Sequence, residues 1–439
     1  MIRALFERCL DPVKLDAWFD ANSEQQYTRN LLFYSLFRLM TKVVLRQQTS
    51  IYAAYPADKE SIPVSVTSVY NKLNGLSIET SAQWVTYGAE QASALIDELD
   101  GAREPLLPGF RVKVLDGQLS GRPVSTGSKR LATHKAAPLP GKTLAVFDPP
   151  KELIIALYPC EDAYTQERAL LGAGLADVEP DDLWLADRNF CTHGFLRGVV
   201  DRGGYFLIRA HEQVRFDPLE PMREIGQTET GSVAEQWVEL TGKEGRRVRL
   251  RRIRIRLNEP TRDGDDRIDL FTTVPAQSAD AVYLADLYLE RWCVETAFLH
   301  LTKALRCEVD TLAHPPAALF AFACAVITYN VLSVAKAALR VAHGEEADNL
   351  SGYYMARHIS NTAESLCEIV DSEDWTVFHT LAVVDFAAWL LAQAERTKLS
   401  RYHKAKRGPK KPAPQRSHDR TKPHVSVARL LAAREKKSP

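Results

Sequence analysis

The chain has 439 residues, 45% of them hydrophobic, and sets 56 Lys and Arg against 56 Asp and Glu; that composition suits a globular protein of two to four domains at roughly 100 to 200 residues each. Its seven cysteines, at 9, 160, 191, 293, 307, 324 and 367, are scattered, odd in number and form no C-x-x-C pair, which favours reduced thiols in a cytosolic protein over a disulfide framework or a zinc site. The zero net charge hides a segregation: residues 396–439 carry 15 Lys or Arg against Asp419 and Glu435, a net of +13, leaving 41 minus 54, or −13, on the rest.

Residues 1–105 read as a helical domain. Ser23-Glu-Gln-Gln26 resembles a capping box before a helix over 27–45, in which Leu32, Leu36, Leu39 and Val43 recur at helical spacing. A second helix is expected over 63–74, closed by Gly75, with Ser65, Ser68, Asn71 and Lys72 interleaved. Two readings fit: a helix-turn-helix that reads DNA ends, or a small bundle with a solvated polar face. The first ten residues, with Arg3, Glu7 and Arg8 breaking the apolar run, lack a signal-peptide core.

From Gly109 the pattern turns to strands, at 110–115, 142–147 and 152–158, followed by a helix over 163–171, a strand at 183–186, a helix over 193–202 and a strand at 205–208. Three strands, helix, strand, helix, strand is the order of an RNase H-like α/β core. In such a core the first and fourth strands are neighbours, so Asp116 and Asp187, each at a strand tip and 71 residues apart in sequence, would meet.

A β-rich insertion over about 210–275 follows. In residues 247–257 arginines alternate with Val248, Leu250, Ile253, Ile255 and Leu257, and the phase slips at Arg251-Arg252. A β-bulge there would keep all the apolar side chains on one face. The arginine face either touches DNA or pairs with the acidic 263–269 loop.

One helix is expected over 280–306, placing Tyr288, Arg291 and Glu295 at i, i+3 and i+7 on a shared face. An aromatic hydroxyl, a guanidinium and a carboxylate so aligned can hold a phosphate and a metal ion together. With the two aspartates they make a candidate metal-dependent DNA-processing site, because two-metal phosphodiester chemistry needs three or four carboxylates around ions about 4 Å apart. The apolar run 317–335 contains Thr328, Tyr329, Asn330 and Ser333 and reads as a buried core helix rather than a membrane span. Helices near 354–370 and 378–396 close a catalytic domain over 106–395. The tail, 396–439, should be disordered and binds phosphates or serves solubility. His193, His211, His300 and His314 show no ligand spacing, which argues against zinc.

Three blocks, Val114-Leu-Asp116-Gly117, Ala186-Asp187-Arg188-Asn-Phe190 and Tyr288-x-x-Arg291-Trp292-x-x-x-Glu295, resemble the catalytic blocks of bacterial DDE transposases of the insertion sequence four group. The resemblance spans roughly 110–305, and its third block is the specific part. It implies an RNase H-like mixed-sheet core interrupted by the β-rich insertion. Asp116, Asp187 and Glu295 are then catalytic ligands of two Mg²⁺ ions, with Mn²⁺ as a substitute, and Asp116 bridges both. Tyr288 and Arg291 would contact DNA phosphates, and Trp292 would either pack in the core or stack on an unpaired base.

Where that group has a lysine seven residues after the glutamate, this chain has Thr302, with Lys303 beside it. Seven helical steps return to about 20° from Glu295 and eight to about 80°, while Arg306, eleven steps on, returns to about 20°, so Lys303 and Arg306 are the candidate further DNA contacts. The implied function is cut-and-paste transposition by a homodimer bound to terminal inverted repeats and target double-stranded DNA in a bacterial cytoplasm, with no membrane role. The alternatives are an RNase H-like nuclease without strand transfer and a catalytically decayed DNA-binding derivative.

Overall fold

A computed structural model describes residues 1–9, 11–23, 31–119, 142–161, 165–241, 247–261, 264–309, 311–312, 314–358 and 372–405. Among them, ten strands form one sheet in the order β3-β2-β1-β4-β5-β10-β9-β8-β6, with β7 also on β8. The first five are β1 (Arg111–Leu119), β2 (Lys142–Asp148), β3 (Leu153–Cys160), β4 (Asp182–Ala186) and β5 (Tyr205–Arg209). β1, β2 and β3 run antiparallel while β1, β4 and β5 run parallel, which is the RNase H-like arrangement.

Side chains alternate across these strands because the pleat has period two. Val114, Leu185 and Leu207 therefore enter one core, and Leu115, Trp184, Ala186 and Phe206 enter another on the opposite face. The second core is closed by helix His193–Val200, whose Phe195, Leu196 and Val199 are buried, and by short helical turns over Glu167–Asp177 rather than a full helix.

The first core is shared. It joins residues of the N-terminal helices α1 (Ile2–Cys9), α2 (Pro12–Asn22), α3 (Phe33–Val44), α4 (Ile51–Asp58), α5 (Val66–Asn74) and α6 (Ile78–Glu98) to the sheet and to the long helix Pro315–His343. That last helix is long and apolar enough to cross a membrane, yet its apolar window is wholly buried inside the protein. Its Asn330 explains the polar residue in this run: Oδ1 accepts from Ile154 N at 3.0 Å and Nδ2 donates to Ile154 O at 2.9 Å, so one amide completes the edge of β3. α5 starts at Val66 behind a Ser65 cap, not at 63, and α3 starts at Phe33, not at 27. The capping box at 23–26 extends into residues outside the described ones, as do most of the 354–370 helix and the tail from 406; residues 396–405, expected to be disordered, instead pack on the body, with Leu399 buried and Lys404 N bonding Asn349 O at 2.7 Å.

The insertion extends the core sheet. β6 (Asp217–Pro218), β7 (Arg223–Thr228), β8 (Gly231–Thr241), β9 (Arg247–Leu257) and β10 (Arg267–Thr272) attach through antiparallel pairing of β10 with β5. The expected bulge at Arg251-Arg252 is absent: β9 keeps one register against β8 from Gly231↔Leu257 to Thr241↔Arg247, and one against β10. Instead the strand serves both cores. Leu250 faces one core, Ile253 and Ile255 the other, and Arg251, 1% exposed, is carried inward among the latter. Burial is tolerated because its charge and donors are met by Glu235 and by the carbonyls of Val274 and Ala279, at 3.0 and 2.8 Å. On the other face Arg252 and Arg254 both bind Asp269, at 2.9 and 2.8 Å.

The single helix expected over 280–306 is two, Ala281–Leu289 (α8, after His193–Val200 as α7) and Trp292–Lys303 (α9). Glu290 and Arg291 form a tight turn between them, with bonds from Glu290 N to Leu287 O and from Arg291 N to Tyr288 O.

Candidate active site

The register of β1 on β4 builds the site. Arg111 to Leu115 pair in parallel with Asp182 to Ala186, so the residues one step on, Asp116 and Asp187, leave adjoining strands side by side. Asp116 Oδ1 accepts from Gly117 N at 2.8 Å. Asp187 caps the turn Arg188–Phe190, its Oδ1 accepting from Asn189 N at 2.7 Å. The third carboxylate arrives from α9, on the side of the sheet that Val114 and Leu185 face.

Arg291 ties helix to strand. From the α8–α9 turn its Nη1 reaches Asp116 Oδ2 at 3.4 Å and its Nη2 reaches Glu295 Oε1 at 3.2 Å. The guanidinium lies over the Trp292 ring at 5.1 Å from the centroid and is 6.0 Å from that of Tyr288. Its Nε is buried and has no acceptor among the described residues. Burial raises the Asp116 carboxyl to about 6; the Gly117 N–H and Arg291 oppose that rise, while Glu295 and Asp187 add to it. Both other acids, Asp187 and Glu295, therefore lie within electrostatic reach of Asp116.

Tyr288 is buried, its hydroxyl donates to Ala186 O at 3.4 Å, and burial raises its pKa to about 12. It thus braces the residue before Asp187. Trp292 is 56% exposed beside the arginine, so its ring is outside the core. The structure does not bring Lys303 and Arg306 to the carboxylates. Lys303 is exposed about 12 Å along α9 from Glu295 at 1.5 Å per residue. Arg306 turns to the N-terminal helices, its N bonding Val44 O at 2.8 Å and its Nη1 Thr49 O at 2.9 Å. Thr302 spends its hydroxyl on its own helix, at Phe298 O and Leu299 O.

Sequence reasoning missed what stands behind the aspartates. A Cβ built on Gly117 would lie 2.7 Å from Glu167 Oε1 and 2.8 Å from its Cδ, so that carboxylate packs directly on the strand beyond Asp116. Glu167 Oε2 also accepts from Asn189 Nδ2 at 2.5 Å. At the strand ends Arg209 and Arg188 face Asp265 of the insertion, at 2.8 and 3.9 Å. The only sequence hint was the glycine after Asp116, which reads equally well as a turn.

Asp116, Asp187 and Glu295 are oxygen donors of the kind Mg²⁺ and Mn²⁺ take, and a carboxyl raised by burial, with two acidic neighbours adding to the rise, is one that a cation would relieve. The donor chemistry fits. In this conformation, among the described residues, no three acid, histidine or cysteine groups converge closely enough to share one ion; the Arg291 guanidinium fills the gap between Asp116 and Glu295.

The transposase DDE domain family model matches residues 111–331, which spans β1 to the middle of the long core helix. Among solved structures, the piggyBac transposase synaptic complex with hairpin DNA is similar at 9% identity and a TM-score of 0.39, covering 95% of this chain and 87% of that one. No curated protein matches the chain. A family model that starts at the strand bearing Asp116, takes in the turn bearing Asp187 and extends past the helix bearing Glu295 covers the whole of the site just described, and this chain belongs to the transposase DDE domain family.

Proposed function

We propose that the chain is a cut-and-paste DNA transposase acting at the terminal inverted repeats of its own element. The observation that carries the reading is the parallel pairing of Leu115 with Ala186, which sets Asp116 and Asp187 together, with Arg291 joining Asp116 to Glu295. Asp116, Asp187 and Glu295 would hold two Mg²⁺ or Mn²⁺ ions, which when bound polarise the phosphoryl group and activate the attacking oxygen.

The remaining steps belong to the chain's own residues. Glu295, with its side chain 42% exposed, is free to rotate toward the aspartates once Arg291 leaves the gap. Arg291 then turns to the scissile phosphate, where a phosphate oxygen gives its orphaned Nε an acceptor. Exposed Trp292 offers a ring face to a base unstacked at the cut. Tyr288 keeps the Ala186 carbonyl, and so the start of the Asp187 turn, in place. In the first reaction water attacks phosphorus and the P–O3′ bond breaks, freeing a 3′-hydroxyl. In the second that hydroxyl attacks a target phosphodiester, forming a new P–O bond as the target's own 3′-oxygen leaves.

DNA-end recognition is assigned to the N-terminal helices, where Thr67, Ser68 and Asn71 form an exposed, uncharged, hydrogen-bonding face on α5 suited to base edges. Two copies would pair the two ends. The test is cleavage of the DNA flanking the coding region in Mg²⁺: wild type cuts and joins precut ends to a target, and Asp116→Asn binds ends but does neither. Cleavage without joining would make the protein a nuclease. Binding with no cleavage by wild type would make it a decayed derivative, a reading favoured by Thr302 where the resemblance calls for a lysine.

A further inference from the structure

Glu167 lies on the short helical turn before β4, outside every block that carries the resemblance, and yet it touches both aspartate-bearing segments. Its Oε1 packs against Gly117, where a Cβ would lie 2.7 Å from it and push the carboxylate aside. Its Oε2 takes the Asn189 amide at 2.5 Å. Asn189 is held from the other end as well: Arg168 Nε donates to its backbone oxygen at 2.7 Å and to its Oδ1 at 3.3 Å. With Oδ1 receiving from Arg168 and Nδ2 giving to Glu167, the amide can sit only one way round. The same residue's N–H donates to Asp187 Oδ1 at 2.7 Å.

From this geometry we propose that Glu167 is a positioning residue for the carboxylate pair, acting through Asn189 to fix the rotation of the Asp187 carboxylate and through Gly117 to fix its spacing from Asp116. Asp187 caps a single tight turn, Arg188–Phe190, and a turn that short has few internal bonds to hold it. The bonds from Glu167 and Arg168 supply the missing restraint. Glu167 does not itself hold the ion. Its contacts are Gly117 and Asn189, behind the aspartates, and partners of this kind orient carboxylates that do. The glycine at 117 leaves the carboxylate room to lie against the strand.

The inference rests on the proposed carboxylate site, and Mn²⁺ binding to the full-length protein, followed by electron paramagnetic resonance, tests the two separately. The site reading requires that wild type bind Mn²⁺ and that Asp116→Asn and Asp187→Asn lose it; failure here removes the site, and Glu167's role with it. Given that result, Glu167→Ala and Asn189→Ala should each weaken binding about tenfold or more, and the double variant no more than either alone. Glu167→Gln, which keeps an acceptor for Asn189 Nδ2, should bind like wild type. In cleavage assays the alanine variants should need more Mn²⁺ for half-maximal rate and approach the wild-type maximum at saturation. Asn189→Ala leaves the Gly117 contact untouched and stands in if Glu167→Ala does not fold by circular dichroism. Alanine variants that bind as wild type does would overturn the proposal. So would a Gln variant as weak as Ala, since that would put the Glu167 charge in the ion's own shell.

Discussion

Arg291 lies 3.4 Å from Asp116, a guanidinium from a helix turn seated on a strand-end carboxylate. It opposes the rise that burial imposes on that carboxyl. Arg291→Gln should therefore move the Asp116 titration upward from about 6. Carboxyl-carbon NMR of the aspartates against pH reads this directly; an unmoved midpoint would mean that the pair is not formed in solution.

The same carboxyl links stability to pH. Its pKa is raised in the folded state, so the folded protein binds the proton more tightly than the unfolded chain does. The stability associated with it is complete below the unfolded value, near 4, and is lost as pH rises through about 6. Asp116→Asn removes the titration. It should be the more stable protein above pH 6, by about 2 to 3 kcal/mol, with the gap shrinking toward pH 4. Mg²⁺ should narrow the same gap at pH 8 by stabilising wild type alone. Thermal melts across pH, with and without the ion, give both comparisons.

Most of the core was legible because each strand between 110 and 208 carries an apolar run bounded by turn residues, and because strand order alone brings Asp116 to Asp187. Tyr288, Arg291 and Glu295 were legible as a spacing, and the spacing survives the break at Glu290 because a tight turn keeps the chain winding. What failed did so for a common reason. The arginine at 251 breaks the alternation, and a rule that expects charge outside inserts a bulge to remove it; Glu235 and two carbonyls from remote segments make the buried position tolerable. Glu167 was invisible in the same way, since its partners lie 50 residues upstream and 22 downstream. Arg306 fits the helical phase for a DNA contact, but phase says nothing of α3, which takes it.

Arg251 gives a stability prediction. Truncation to Ala leaves the Glu235 carboxylate and the carbonyls of Val274 and Ala279 buried without their donor, a loss of about 3 to 5 kcal/mol. Glu235→Gln keeps an acceptor but leaves the buried guanidinium without its counter-charge; it should also destabilise, by less than Arg251→Ala because the bonds to Val274 and Ala279 remain. Urea denaturation of the two variants ranks them, and equal midpoints would show that the pair opens to water.

Arg46 offers a last test, at the joint between the N-terminal helices and the helix that carries Glu295. It ends α3 with φ at 62°, in the left-handed region, while Gln47 N bonds back to Lys42 O. From there its Nη2 donates to Thr302 O and Leu305 O, both at 3.2 Å, at the C-terminal end of α9, where a cation and a donor are favoured together. Two substitutions separate the contributions. Arg46→Gly loses the bonds to α9 but suits the backbone; Arg46→Ala loses them and keeps the left-handed strain, so it should be the less stable by about 1 kcal/mol. Both should speed amide exchange in the last turn of α9 by a similar factor, because both remove the same two bonds. Wild-type exchange there in either variant would mean that Arg306, gripping Val44 and Thr49 from the other side, holds the joint alone.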